Sequence, residues 1–268
     1  MTESAYSPGA GRPERAFLDA NVIRGQQTND IMLSLADEGV FEPRWTQHVI
    51  DEMRRNRPPG VSETAIDRRI SLMNRAFEDA MTEVPPQQLQ DQMQADPKDK
   101  HVLAGAVHSQ SDVLVTNNLK DFDPPTTGPN AMRVESVNQF LSRKLEENPE
   151  QVRAGLQTML DRSRRDPRTM SALIDTMAEG RELQEFAQNL NAAVPPDQRG
   201  SSPALTENVQ QAGSELRTDS ALGTAQHAAL DGVAQPGKVR APTSTPEARK
   251  SAGQSQSTER TKDPDQGK

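Results

Sequence analysis

Three absences narrow the classes of protein to which this chain of 268 residues can belong. It has no cysteine, which excludes disulfide bonds and thiolate metal sites. No apolar run reaches the ~18 residues that a membrane-spanning helix needs. Residues 1–15 also lack the apolar core of a signal peptide. We therefore expect a cytoplasmic protein that does not enter a membrane.

Apolar residues are scarce in the last part of the chain. Aromatic residues make up 3% of the sequence, and none follows Phe186. Residues 195–268 also contain no Ile and no Met, and consist largely of Pro, Ser, Gln, Gly, Thr and Ala. Such a segment buries too little apolar surface to offset the entropy of the chain. We expect a disordered tail over residues 195–268 and a flexible N-terminus over residues 1–14.

The first half of the chain alternates short apolar runs with segments of helical spacing. Apolar runs predict buried strands at residues 16–18, 112–116 and 132–134, and an extended segment at residues 40–45. Segments of helical spacing lie between them. Thr28 and the Asp96–Pro97 pair predict helix starts, a longer helix is predicted over residues 62–81, and Ser136 with Gln139 forms a capping-box pattern. This alternation favours an α/β fold with a parallel sheet, which we place in a domain over residues 15–145.

A second helical region follows this domain. Asn148 and Pro149 form a strong helix start, Thr169 predicts a second start, and Gly180 predicts a stop before a third helix. We expect a small helical appendage over residues 148–192, either docked on the α/β domain or used to bind a partner.

Acidic and amide side chains follow the predicted strands at positions that would converge in space. Asp19 comes directly after the first strand, and Asn118 and Asp121 follow the strand at residues 112–116. Asp99 lies in the first turn of a predicted helix, on its inward-facing side. Each residue alone is more typical of a helix cap or a turn. Because the carboxyl ends of parallel strands share one sheet edge, we expect the set to lie together there, with Glu52 joining from a neighbouring helix.

A cluster of this kind has a chemical consequence. Several carboxylates crowded together need a cation to stay ionised. Oxygen ligands without cysteine favour Mg²⁺ or Mn²⁺ over Zn²⁺. A metal ion of this type activates water and neutralises charge on a phosphate oxygen. The acidic set therefore indicates metal-dependent hydrolysis of a phosphodiester.

Four segments of the sequence resemble PIN-domain nucleases, most closely their bacterial toxin-like (VapC-type) branch. They occur in the family's order and spacing: FLDANV at 17–22, IDE at 50–52, DPKDKHVLA at 96–104 and LVTNNLKDF at 114–122. The resemblance covers roughly residues 15 to 145. It implies a PIN-like three-layer fold, in which helices flank a short central parallel sheet, and the activity of a metal-dependent ribonuclease.

The resemblance also implies roles for the acidic set. Asp19, Glu52 and Asp99 match three carboxylates that bind metal in the family. Asn118 matches a position where many members have a fourth Asp, so the amide lowers the charge of the site. Asp121 is close enough in sequence to serve instead, directly or through water. We predict the four acidic residues as catalytic and all five residues as metal ligands.

Two polar residues and a set of cations complete the predicted site. Asn21 and Thr116 match family positions that hydrogen-bond the acidic residues. A net charge of −8 argues against a surface that coats nucleic acid, but it is compatible with a local basic patch. The cations nearest to the acidic residues in sequence are the candidates for binding RNA. They are Arg54, Arg55, Arg57, Lys98, Lys100 and Lys120.

The leading hypothesis is a metal-dependent endoribonuclease whose bound metal activates water against an RNA phosphodiester. The resemblance further implies the toxin of a toxin–antitoxin pair, active as a homodimer and inhibited by an antitoxin protein. A second hypothesis is a PIN-fold module that binds RNA or protein without catalysis, having lost activity through Asn118. A third is a nuclease that acts on DNA or in the maturation of stable RNA. Metal titration discriminates the second hypothesis from the first, and only substrate profiling separates the third.

Overall fold

The structure is a computed structural model that describes residues 12–205. Residues 1–11 of the predicted flexible N-terminus and residues 206–268 of the predicted tail lie outside the described residues. Among residues 12–205, no helix combines the length and the apolar character needed to cross a membrane.

Five short parallel strands form one sheet in the order β3-β2-β1-β4-β5. They are β1 (Arg15–Leu18), β2 (Glu42–Thr46), β3 (Met81–Thr82), β4 (Val113–Val115) and β5 (Arg133–Glu135). Phe17 of the central strand β1 pairs with Arg44 on one side and Leu114 on the other. Because every pairing is parallel, the carboxyl ends of all five strands lie at one edge. The predicted α/β fold with a short parallel sheet is confirmed.

Seven helices belong to the same part of the chain. They are α1 (Ala20–Ile23), α2 (Gln26–Asp37), α3 (Gln47–Arg55), α4 (Glu63–Ala76), α5 (Gln87–Gln92), α6 (Lys100–His108) and α7 (Val137–Glu147). The start of α7 has the expected capping box, in which the Ser136 hydroxyl accepts from the Gln139 N–H and the Gln139 side chain accepts from the Ser136 N–H.

Aromatic side chains fill the core around the central strands. Trp45 is fully buried and its indole N–H donates to the Asn74 side chain at 3.1 Å. Phe41 and Phe140 meet edge to face, with ring centroids 5.0 Å apart. Phe17 lies under Gly105 of α6, where a Cβ atom would approach its ring to 2.6 Å. The missing side chain therefore brings α6 close to β1.

Three further helices form the appendage. They are α8 (Pro149–Arg162), α9 (Met170–Glu179) and α10 (Gln184–Ala193). The Thr169 hydroxyl caps α9, and Gly180 ends it. Helix α8 packs on α2 at Gly155, where a Cβ atom would lie 2.9 Å from Leu35, while α10 packs on α7 and α9. The appendage is thus docked on the α/β domain.

The first residues of the predicted tail pack on α9. A single 3₁₀ turn covers Pro196–Gln198, and the side chains of Ser202 and Leu205 are buried. The Asp175 carboxylate of α9 accepts hydrogen bonds from the N–H groups of Ser201 and Ser202, both at 2.6 Å. The described chain therefore remains in contact with the appendage as far as Leu205.

Candidate active site

Asp19 is the first residue after β1, and only 5% of it is exposed. Its N–H donates to the Val115 carbonyl at 3.1 Å. Its Oδ2 accepts from the Thr116 hydroxyl at 2.7 Å and from the Asn21 amide at 2.6 Å. Burial raises the pKa of Asp19 to about 6, and the nearby charge of Glu52 adds to that effect against the hydrogen bond from Thr116.

Thr116 joins the two central strands at the site. It is fully buried at the end of β4, and its hydroxyl donates to Asp19. The same Oγ1 accepts from the Asn21 amide at 3.0 Å and from the Asn118 N–H at 3.1 Å. Thr116 and Asn21 therefore both donate hydrogen bonds to the Asp19 carboxylate.

Glu52 lies on α3 and faces a histidine. Its Oε2 is 3.5 Å from His101 Nε2, while His101 Nδ1 lies 2.9 Å from the Lys98 carbonyl. Contact with His101 lowers the pKa of Glu52 against the opposing effect of burial, and Arg55 contributes to the same shift. Burial alone would lower the pKa of His101, but Glu52 outweighs it and the pKa is raised.

Sequence reasoning assigned no role to His101. Its position in the first turn of α6, two residues after Asp99, is visible in the sequence. Its partner Glu52 is not, because that contact depends on how α3 and α6 pack.

Asp99 is the residue before α6, and its side chain caps no backbone N–H of that helix. Among residues 12–205, its buried Oδ2 has no hydrogen-bond partner. Burial raises the pKa of Asp99, and the charges of Asp121, Asp96 and Glu52 add to this, while Lys98 opposes it. An unpartnered buried carboxylate oxygen is costly unless a cation or a donor approaches it.

Asp121 closes a 3₁₀ turn after β4, and its carboxylate accepts from the Asn118 amide. An isolated antiparallel bridge joins Ala95 and Phe122. Next to it, the Asp96 N–H donates to the Asp121 carbonyl at 2.9 Å. These backbone contacts hold the turn beside the start of α6.

The structure brings the predicted acidic residues into mutual electrostatic contact. The charges of Glu52 and Asp99 act on Asp19, and that of Asp121 acts on Asp99. Within residues 12–205, no group of three or more acidic or histidine side chains is arranged to hold a metal ion. In this arrangement Glu52 faces His101 and Asp121 faces Asn118.

The carboxylate and amide oxygens of these residues are nevertheless of the chemical type that binds a divalent cation. The unpartnered Oδ2 of Asp99 offers a free ligand atom. Burial raises the pKa values of Asp19 and Asp99, so a nearby cation would stabilise their charged forms. Carboxylate and amide oxygens are the ligands that Mg²⁺ and Mn²⁺ prefer.

The candidate RNA-binding cations differ in their contacts. Arg54 is ion-paired with Asp67 at 2.7 Å and with Asp51 at 3.0 Å. The ammonium of Lys100 donates to the Asp91 carbonyl at 3.0 Å. The other four candidates are exposed: Arg55, Arg57, Lys98 and Lys120.

Residues 15–120 match a family model described as the PIN domain. A segment of 98 residues is 32% identical to VapC50 of Mycobacterium tuberculosis, a protein named as a ribonuclease. That alignment covers 37% of this chain and 57% of the relative. The chain therefore spans little more than half the length of this relative. The matched family segment contains Asp19, Glu52, Asp99 and Asn118, whereas Asp121 and the appendage lie beyond it.

Proposed function

Residues 15–120 are a PIN domain of the VapC-type family, and from this premise we propose that the protein is a metal-dependent endoribonuclease acting on RNA phosphodiester bonds. One observation carries the proposal. Glu52 and Asp99 are near enough to the buried Asp19 for their charges to raise its pKa, and a buried oxygen of Asp99 has no hydrogen-bond partner among residues 12–205. A bound cation would offset the cost of placing these carboxylates together.

In the proposed mechanism, Asp19, Glu52 and Asp99 would hold Mg²⁺ or Mn²⁺, and Asn118 and Asp121 would contribute further oxygen ligands. When bound, the ion supplies an activated water and neutralises charge on the scissile phosphate. Thr116 and Asn21 fix the orientation of Asp19 through Oδ2. This positioning matters because a ligand that rotates freely loses metal affinity.

His101 has a role in the same proposal. Its ring is oriented by the contact between Nδ1 and the Lys98 carbonyl, so that Nε2 faces Glu52. When protonated, His101 would offset part of the charge of Glu52, whose Oε2 lies 3.5 Å from Nε2. Arg24 and Arg55 also lower the pKa of Glu52, so they are near enough to attract a phosphate group.

RNA cleavage by the purified full chain tests the proposal. We expect cleavage of single-stranded RNA with Mg²⁺ or Mn²⁺ and none in EDTA. Asp19→Asn should reduce the rate by at least about a hundredfold, because it removes a metal ligand. Asp161→Asn, at an exposed position on α8, is the matched control and should cleave like the wild type. Equal background rates for wild type and Asp19→Asn over a panel of RNAs would contradict the proposal.

Two further outcomes separate the other hypotheses. A thermal shift with Mn²⁺ is expected for a metal-binding site, since a ligand that binds the folded state stabilises it. Neither a shift nor cleavage would favour a module that binds without catalysis. Cleavage of DNA in preference to RNA, or of stable-RNA precursors alone, would favour the third hypothesis.

We also propose that the protein is a cytoplasmic toxin that acts as a homodimer and is inhibited by an antitoxin protein. The similarity to VapC50 supports this proposal. Expression of the chain alone should stop growth, and co-expression of a small protein encoded beside it should restore growth. The mass of the purified protein in solution tests the dimer.

A further inference from the structure

A cavity of about 720 Å³ is lined in part by Asn21 and Asn118, which hydrogen-bond Asp19 and Asp121 respectively. One wall is formed by the PIN domain, with Asn21, Asn118 and Arg24. The other includes Arg181 and Glu182, in the turn between α9 and α10 of the appendage. The cavity therefore joins the acidic centre to a part of the chain that the family match does not cover.

Glu182 fixes this turn against the PIN domain. Its carboxylate accepts from the Thr28 hydroxyl at 3.1 Å and from the Asn117 amide. The Asn117 N–H in turn donates to Asn21 Oδ1 at 3.1 Å, and the Asn21 amide donates to Asp19. A continuous chain of hydrogen bonds thus connects the appendage to the first candidate metal ligand.

Two cations line the cavity without carboxylate partners. Arg24 follows α1, and its charge lowers the pKa of Glu52. Arg24 and Arg181 are both exposed, and neither guanidinium is ion-paired within residues 12–205. Asn117, Asn118 and Asn138 also line the cavity. Each of their amides already donates one hydrogen bond, to Glu182, Asp121 and Glu185 respectively, and each keeps a second N–H.

This combination of groups suits one segment of a single-stranded nucleic acid. Guanidinium groups bind phosphate oxygens, while amide side chains offer donors and acceptors to the edges of an unstacked base. An acidic centre beside the cavity would repel a strand that lacked such cations.

We propose that the cavity is a nucleotide subsite for the RNA strand, in which Arg181 of the appendage contacts a phosphate next to the one that is cleaved. This inference rests on the proposed ribonuclease function. In this proposal, the appendage contributes a residue, Arg181, directly to the substrate site. Glu182 is a positioning residue, since it acts by holding the turn that carries Arg181.

RNA binding by the full chain tests the inference independently of cleavage. Fluorescence anisotropy of a labelled single-stranded oligoribonucleotide is measured with the Asp19→Asn protein over a range of salt concentrations. Adding Arg181→Gln should weaken binding by about tenfold and reduce the slope of log K against log salt by about 0.7, the loss of one phosphate contact. Arg181→Lys keeps the charge and should retain that slope.

Arg168→Gln is the matched control, because Arg168 is an exposed arginine of the appendage that does not line the cavity. It should leave both affinity and slope unchanged. In the active protein, Arg181→Gln should raise KM with kcat nearly constant.

Unchanged affinity and slope in Arg181→Gln, with an unchanged melting temperature, would overturn the inference. That result would leave the proposed function intact if wild type still cleaves RNA and Asp19→Asn does not. Conversely, absence of cleavage by the wild type would contradict the proposed function, while a weakened Arg181→Gln would still support the RNA subsite.

Discussion

The carboxylate of Asp19 is buried, so water solvates its charge poorly. Ionisation of Asp19 therefore lowers the free energy of unfolding when no metal is bound. Burial raises its pKa from the usual 3.8 to about 6. The unfolded chain therefore releases this proton at lower pH than the folded chain. Stability is highest below the unfolded pKa and is lost as the pH rises through the folded pKa. For this group the loss is on the order of 2 kcal/mol between pH 4 and 7.

Urea unfolding in EDTA measures this effect. We expect Asp19→Asn to gain stability relative to the wild type as the pH is raised from 4.5 to 7, because the variant has no charge to bury. Mn²⁺ should restore the stability of the wild type at pH 7 and have less effect on the variant. A difference between the two proteins that stays constant with pH would contradict this account of Asp19.

Thr116 offers a second prediction, because one hydroxyl contacts Asp19, Asn21 and the Asn118 backbone. Thr116→Val keeps the shape and removes all three hydrogen bonds. We expect metal affinity to fall by about 10- to 100-fold, as for other residues that orient metal ligands. Calorimetric titration with Mn²⁺ measures the change. Thr116→Ser keeps the hydroxyl and should stay within a few fold of the wild type.

Helix α6 depends on Gly105 for its close approach to β1. Gly105→Ala places a Cβ atom 2.6 Å from the Phe17 ring, within van der Waals overlap. We expect a loss of about 1–3 kcal/mol in unfolding free energy and weaker metal binding, because Asp99 immediately precedes the helix that must shift.

A matched control exists in α8. Gly155→Ala brings a Cβ atom to 2.9 Å from Leu35 of α2, away from Asp99. It should lower stability by a similar amount and leave the affinity for Mn²⁺ unchanged. Equal losses of metal affinity in the two variants would show that the packing of α6 has no special role.

Most of the regular elements could be predicted from the sequence. Strands β1 and β4 are apolar runs buried on both faces of the sheet, and the start of α9 at Thr169 is visible as an N-cap signal. Strand β3 has only two residues, too few for any periodicity, and the predicted helix over residues 62–81 extends into its first residue, Met81. Helix α4 in fact ends at Ala76.

Two other predicted helix starts were wrong, and at both places the structure has long-range contacts. Thr28 was expected to cap α2, but the helix begins after Gly25, and the Thr28 hydroxyl instead donates to Glu182. Helix α6 begins at Lys100, later than the Asp96–Pro97 signal suggests. The intervening residues are constrained by the bridge between Ala95 and Phe122, a long-range contact without a local sequence signal.

A network of buried ions joins the start of β1 to the end of the α/β domain. The Glu14 carboxylate, with 4% of its side chain exposed, contacts Lys144 at 2.7 Å and Arg143 at 3.0 Å, as well as Arg133. Lys144 itself is 5% exposed. Such charges are tolerable in the interior only as a paired set.

Glu14→Gln should therefore destabilise the protein by about 3–5 kcal/mol, because it leaves the buried ammonium of Lys144 with less compensation. Chemical unfolding measures the loss. Glu150→Gln is the control, since its ion pair with Arg153 is largely exposed and should contribute less than about 1 kcal/mol. The double variant Glu14→Gln with Lys144→Met should recover part of the loss.

At the scale of the whole molecule, only part of the candidate site can be predicted from the sequence. Strand ends and spacing suffice to suggest that Asp19, Asp99 and Asp121 converge, because a parallel sheet has a single carboxyl edge. The contact of Glu52 with His101 depends on the packing of two helices. The arrival of Glu182 beside Asn117 depends on how three appended helices dock. No spacing rule encodes these two contacts.

Strand order has a consequence for synthesis on the ribosome. The central strand β1 is translated early, but its neighbour β4 and the hydroxyl of Thr116 come about a hundred residues later. A nascent polypeptide cannot assemble the Asp19 environment until that later stretch has emerged. A ribosome making this protein would therefore carry an incomplete Asp19 environment until residue 116 of 268 has been translated and has left the exit tunnel.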